Sequence, residues 1–194
     1  MFRFRKKIFI LIGVSLLIVI GIVSVYAKSR QDQVRSAGCQ AVMLANEEFF
    51  PVLLKSIDEA RDEIIMSVFS FKAGKYTKSY PDQIAGRLER AVKRGVRVFV
   101  VLETTDDKAD ELNIQNRKAG KFLEGKGIKV FFDSPRKTTH TKLTVIDKRL
   151  TLLGSHNFTQ SALKYNNEIS ILLNSSDLAG NARNYILKII KEGE

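Results

Sequence analysis

The 194-residue sequence has one cysteine, two histidines, three prolines and no tryptophan. A single thiol, Cys39, excludes an intrachain disulfide. One cysteine and two histidines also leave too few ligands for a Cys/His zinc site. With so little proline and 44% hydrophobic residues, the chain is able to bury a core and falls outside the disordered class. Acid is in deficit: 21 Asp and Glu stand against 32 Lys and Arg, a net charge of +11. Arg3, Arg5, Lys6 and Lys7 carry the charge of residues 1–27, which hold no acid, and +7 remains for the rest. That surplus favours anionic partners, nucleic acid or anionic headgroups alike. Charge alone neither chooses between them nor excludes an inert basic surface. Internal repeats and low-complexity tracts are absent too.

Long apolar runs are scarce, with one exception. Ile8–Tyr26 is an uninterrupted stretch of 19 apolar or small residues, long enough to cross a bilayer as a helix. It has no polar face, which argues against a core helix. Residues 1–27 are therefore expected to form a membrane anchor or a signal peptide, followed by a polar linker over 28–39. Val25-Tyr26-Ala27 is an acceptable cleavage site, so a removed signal competes with an uncleaved anchor; the length of the run favours the anchor. Ser36-Ala37-Gly38-Cys39 is a faint acylation site, separated from the run by charged residues. The basic start predicts a cytoplasmic N-terminus with the remainder outside a bacterial cytoplasmic membrane, a bias weakened by Lys28, Arg30 and Arg35. Cleavage would instead give a secreted protein.

Residues 40–194 alternate between strand and helix patterns. Strands are expected at Gln40–Leu44, Glu63–Phe71, Val96–Leu102, Ile128–Phe132, His140–Asp147, Leu150–Ser155 and Glu168–Leu173. Helices are expected at Glu47–Arg61, Pro81–Arg94, Ala109–Lys126 and Ser176–Lys191. This order, ending in a late hairpin, predicts an α/β domain with a mixed sheet flanked by helices.

Polar residues interrupt the hairpin in a pattern no core would use. His140 and Lys142, two apart, share a strand face, as do Ser155 and Asn157 on the next strand. A two-residue turn at Lys148-Arg149 places Lys142 opposite Ser155 and His140 opposite Asn157, about 5 Å apart at Cβ. Lysine, hydroxyl and amide donors suit the non-bridging oxygens of a phosphodiester. A neighbouring ammonium favours a neutral, nucleophilic imidazole. Glu168 is suited to take the proton of the other ring nitrogen. Asp147 is out of phase with His140 and reads as structural, and His156 alternates away from the Asn157 face. Arg136 and Lys137, just before His140, are placed to hold flanking phosphates. Lys72, Lys75 and Lys78, interleaved with Phe71, Tyr76 and Tyr80, form either a single-strand stacking groove or a solvated loop. No cluster of acids, Cys or His has metal-ligand spacing, and no cofactor motif is present.

The stretch H-T-K-LTVI-D-KRLTLL-G-S-H-N followed by Asn167-Glu168 resembles the HKD motif of the phospholipase D superfamily. AVKRGVRVFVVLE and GIKVFFD resemble that family's strands before the motif, so the likeness spans residues 40–190. It is closest to small single-motif members, the bacterial endonucleases and membrane-anchored mitochondrial-type enzymes. The resemblance implies a phospholipase-D-like fold and attack of His140 on phosphorus to give a covalent phosphohistidine. It implies phosphate binding by Lys142, Ser155 and Asn157, orientation of the histidine by Glu168, and a place for Asp147 within the motif. Two motifs build one site in this family, so one motif per chain implies a homodimer. The leading expectation is a metal-independent nuclease on DNA or RNA. A phospholipase acting on a lipid such as cardiolipin, and an idle nucleic-acid receptor, are the alternatives.

Overall fold

Two six-residue strands, β2 (Glu63–Val68) and β3 (Arg97–Leu102), are apolar at nearly every position because both of their faces are covered. They lie parallel and side by side in a computed structural model that describes residues 39–74 and 78–194. The expected membrane segment and linker residues 28–38 lie outside the described residues. The other strands are β1 (Gln40–Ala45), β4 (Lys129–Phe132), β5 (Lys142–Ile146), β6 (Leu150–Gly154) and β7 (Ile169–Asn174). They form one mixed seven-stranded sheet in the order β1-β7-β6-β5-β2-β3-β4, with β2, β3 and β4 parallel and the remaining pairs antiparallel.

The helices are α1 (Phe49–Glu59), α2 (Tyr80–Lys93), α3 (Glu111–Glu124), α4 (Gln160–Lys164) and α5 (Ser176–Gly193). Ser79, Asp110, Thr159 and Ser175 cap the last four by accepting a backbone N–H of the first turn. Strand periodicity sorts the core. Ile64, Met66 and Val68 point to one face, where Leu53, Ile57, Leu88 and Leu123 of α1, α2 and α3 bury them. Ile65, Val101 and Val145 point to the other, under Ala179, Ile186 and Ile189 of α5. Truncating a fully buried residue such as Leu53 or Ile64 to Ala should cost about 2–5 kcal/mol. On the α5 side, α5 is anchored by Arg183, which pairs with the buried carboxylate of Glu63 at 2.5 Å. Met43, Leu153 and Ile169, on the same side of the outer strands, remain 68%, 39% and 54% exposed.

The hairpin departs from its expected register. Leu143 faces Leu153 and Ile146 faces Leu150, so three residues, Asp147-Lys148-Arg149, form the turn. Asp147 and Lys148 take left-handed conformations, φ 51° and 52°. The pairing shifts by one, and Lys142 is aligned with Gly154 rather than Ser155. Strands β2 and β6 end sooner than their patterns suggested, at Val68 and Gly154, and β5 is shorter at both ends, running from Lys142 to Ile146 and leaving His140 outside it.

Candidate active site

The carboxyl ends of β2, β3 and β4, the start of β5, the end of β6 and the start of β7 all meet at one edge of the sheet, the usual place for a site in an open α/β sheet. His140 sits there just ahead of β5. Its neighbour Thr141 accepts the Phe69 N–H at 2.8 Å through its carbonyl, and its hydroxyl meets that of Ser67 at 2.6 Å. The His140 ring stands edge-on to Phe69, centroids 4.4 Å apart. Lys142 Nζ lies 3.3 Å from His140 Nε2 and donates to the His140 carbonyl at 3.2 Å. The same ammonium stands 4.8 Å from the centre of the Phe69 ring. Burial pushes the Lys142 pKa down, and the nearby Glu168 carboxylate opposes that shift without cancelling it.

Ser155 and Glu168 are joined directly: the Ser155 hydroxyl donates to the Glu168 carboxylate and accepts the Ile169 N–H at 3.0 Å. The other Glu168 oxygen accepts from the Asn166 amide at 3.0 Å. The Glu168 carboxylate is thus held by Ser155 and Asn166, not by the His140 ring. Asn157 lies just past β6, and its buried Oδ1 has no partner. It lines an open cavity of about 390 Å³ with Phe69, Ser70, Lys72 and Gln115. His140, Lys142, Ser155 and Glu168 therefore share one end of the sheet, with Asn157 at the mouth of the cavity beside Phe69.

Other sequence candidates fall elsewhere. Asp147 is at the opposite end of β5, about 17 Å along the strand from Lys142. Its carboxylate accepts the backbone N–H groups of Arg61, Asp62 and Glu63 at 2.8–3.2 Å, locking the turn from α1 into β2 to the hairpin. Its place in the motif is structural, and it belongs outside the catalytic group. His156 is fully buried, stacked on Phe49 at 4.4 Å, with Nδ1 2.7 Å from Ser170 Oγ and Nε2 2.9 Å from the Asn46 carbonyl. Arg136 and Lys137 are exposed on the β4–β5 loop, with Lys137 beside Tyr185 and Lys188 of α5. The proposed stacking platform is not formed by Phe71 and Tyr80: Phe71 is buried edge-on to Phe158, and Tyr80 stacks on Phe50 at 4.1 Å. Lys75 and Tyr76 lie outside the described residues.

Several supporting residues escaped the sequence reading. Asn46, with φ 50°, accepts the Glu168 N–H at 2.9 Å and fixes the start of β7. Asn116 of α3 donates to the Phe69 and Glu103 carbonyls at 2.8 and 3.0 Å and accepts the Phe71 N–H at 3.1 Å. Glu103 and Asp133, each 2% exposed, end β3 and β4, and Glu103 accepts the Thr139 N–H. An acid closing each of two apolar runs, VRVFVVLE and VFFD, was the available signal for this last pair.

Solved structures share the architecture. The phospholipase D family member Nuc from Salmonella typhimurium superposes with a TM-score of 0.67, covering 81% of this chain and 97% of its own, at 24% identity. In sequence, human mitochondrial cardiolipin hydrolase is 27% identical over 140 residues, 72% of this chain and 50% of that protein. The phospholipase D of Rickettsia bellii is 29% identical over 123 residues, 63% of this chain and 54% of that protein. The chain spans about half the length of the curated relatives it matches. The family described as "Cardiolipin synthase, PLD-like domain" matches residues 53–190, which takes in His140, Lys142, Ser155, Asn157 and Glu168. With that match over most of its length, and with His140, Lys142, Ser155 and Glu168 gathered at one sheet edge, this chain belongs to the phospholipase D superfamily.

Proposed function

We propose that the domain is a metal-independent phosphodiesterase that hydrolyses nucleic acid through a phosphohistidine on His140. The observation that carries this reading is the contact between His140 Nε2 and Lys142 Nζ at 3.3 Å on an exposed edge. An ammonium beside a ring nitrogen binds an anionic phosphate within reach of that nitrogen. His140 Nε2 attacks phosphorus, the P–O bond to the leaving group breaks, and an acid protonates the departing oxygen. Water then attacks phosphorus, the P–N bond breaks, and the imidazole is restored. Lys142 and the Asn157 amide supply donors to the non-bridging oxygens, while Glu168 keeps the Ser155 hydroxyl in place. Arg136 and Lys137 offer positive charge to flanking phosphates.

The chain carries one motif, and buried His156 is committed to Ser170 and Asn46, so the acid is assigned to His140 of a second copy in a homodimer. The exposed apolar row of Met43, Leu153 and Ile169, beside Ser155 and Glu168, supports such an assembly. The apolar run Ile8–Tyr26 supports anchoring on the outer face of a bacterial cytoplasmic membrane.

The +7 surplus of residues 28–194, together with the lack of a second long apolar run in the sequence, tilts the choice to nucleic acid. The relatives named cardiolipin hydrolase and phospholipase D favour a phospholipid as the second reading. The test offers the purified chain single- and double-stranded nucleic acid and cardiolipin vesicles, with a chelator present. Cleavage of nucleic acid that weakens steeply between roughly 50 and 200 mM salt is expected. Cardiolipin turnover without nucleic-acid cleavage would reverse the choice, strict dependence on added metal would end the metal-independent mechanism, and tight binding without cleavage would leave only a receptor.

A further inference from the structure

Two acids sit behind the nucleophile and take no part in the chemistry above. Strands β3 and β4 are parallel neighbours with Leu102 paired to Phe132, so Glu103 and Asp133 emerge side by side at their carboxyl ends. Both are 2% exposed. No ion pair among the described residues involves either one. Two buried carboxylates without a counter-ion cannot both stay ionised at modest cost. Their hydrogen bonds also leave one gap. Glu103 Oε2 accepts the Thr139 N–H at 2.5 Å and Asp133 Oδ1 accepts the Thr104 N–H at 2.7 Å, but the buried Asp133 Oδ2 has no donor. A proton on Glu103 fills that gap and removes one of the two charges.

We propose that Glu103 and Asp133 share one proton, and that this buried pair positions His140 by gripping the amide of Thr139, the residue before it. Glu103 is thus a positioning residue, acting through the backbone and touching no substrate. The grip is part of a wider brace: Asn116 donates to the Glu103 carbonyl at 3.0 Å and also to that of Phe69, on whose ring the His140 edge rests.

The surroundings keep the proton on the pair. Burial pushes the Glu103 pKa up to about 8, reinforced by the hydrogen bond to Asp133 and by the charges of Asp133 and of Asp110 ahead of α3, while the Thr139 N–H opposes the rise in part. On α3, Arg117 is engaged by Thr104 Oγ1 and Asn113 Oδ1 at 2.9 and 3.0 Å. On α5, Lys188 and Glu192 line the small cleft on the far side of Thr139, with Lys137. His140 and Lys142 follow on the chain itself. A folded-state pKa raised above the unfolded value means that the stabilisation is complete in acid and is lost as pH rises through about 8. Beyond that point the pair carries two charges: the Thr139 N–H still favours an ionised Glu103, but repulsion from Asp133 in a buried site strains the segment that leads into His140.

The inference rests on His140 as the reactive group, so its test needs a readout besides turnover. In the full chain, the Thr139 amide resonance is followed through pH alongside the pH–rate profile, for the native protein and for Glu103→Gln and Glu103→Ala. A glutamine keeps an acceptor for Thr139 and a donor for Asp133 without titrating. The Thr139 resonance is expected to titrate near pH 8 in the native protein and to stay flat in E103Q. At about one pH unit above the midpoint only a tenth of the pair keeps its proton, so E103Q should be up to roughly tenfold faster than the native protein there. E103A should lose activity at every pH; if it fails to fold, the E103Q comparison still decides. A Thr139 resonance that does not titrate, or that titrates identically in E103Q, overturns the proposal. The expected titration in a protein that cleaves no phosphodiester upholds the shared proton and removes the reading of His140 as nucleophile.

Discussion

Gly154 and Ser170 face each other across β6 and β7 so closely that a Cβ on residue 154 would run into the Ser170 side chain and the Ile169 carbonyl. The glycine of the motif is therefore a spacing device. It lets β7 approach β6 until the Ser155 hydroxyl reaches both the Glu168 carboxylate and the Ile169 amide. Gly154→Ala should force the strands apart, cost about 1–3 kcal/mol and lower turnover. Thermal unfolding and steady-state kinetics check this; an alanine variant with native stability and rate would show that the close approach is dispensable.

Asp147 gives a stability prediction with a definite sign. Burial pushes its pKa up, but the amides of Asp62, Glu63 and Arg61 together outweigh burial and hold it below its ordinary value. A depressed pKa contributes stability above the unfolded-state value, and that stability is lost as pH falls through the folded-state value. Asp147→Asn keeps a residue that tolerates the left-handed conformation while removing the charge. It should lose about 1–3 kcal/mol at neutral pH, and the gap to the native protein should close in acid. Denaturant unfolding at neutral and acid pH measures it, and a gap that widens in acid would contradict the assignment.

How legible all this was in the sequence depended on what holds each part. The apolar runs EIIMSV and RVFVVL announced β2 and β3 because burial on both faces leaves no other reading. His140 and Lys142 stood out because polar side chains interrupted an apolar hairpin. The register failed by one residue because Asp147 adopts a left-handed turn in order to reach three amides 84–86 positions away, and no local pattern encodes that. The short α4 was missed because five residues carry too little periodicity, although Thr159 caps it. Residues 133–139 have no strand or helix pattern, since they are held by side-chain bonds, Asp133 to the Thr104 amide and Glu103 to the Thr139 amide, and the strand expected from His140 starts only at Lys142.

The proposed homodimer predicts a defined surface. Met43 is remote from His140 in sequence and 68% exposed on the open side of the sheet. Met43→Asp should convert the protein to monomers and reduce activity, with the fold retained. Sedimentation alongside activity across dilution checks this, and a native monomer with full specific activity would refute the shared site.

The central claim is that His140 forms a bond to phosphorus. The direct measurement is peptide mass spectrometry of the native chain, quenched rapidly and kept at alkaline pH, during turnover of a phosphodiester, with His140→Ala beside it. The account predicts the retained half of the diester joined through phosphorus to the peptide containing His140, absent in a folded H140A protein whose turnover is lower by roughly a thousandfold or more. A folded H140A protein with near-native turnover, or phosphorylation at another residue, would contradict it.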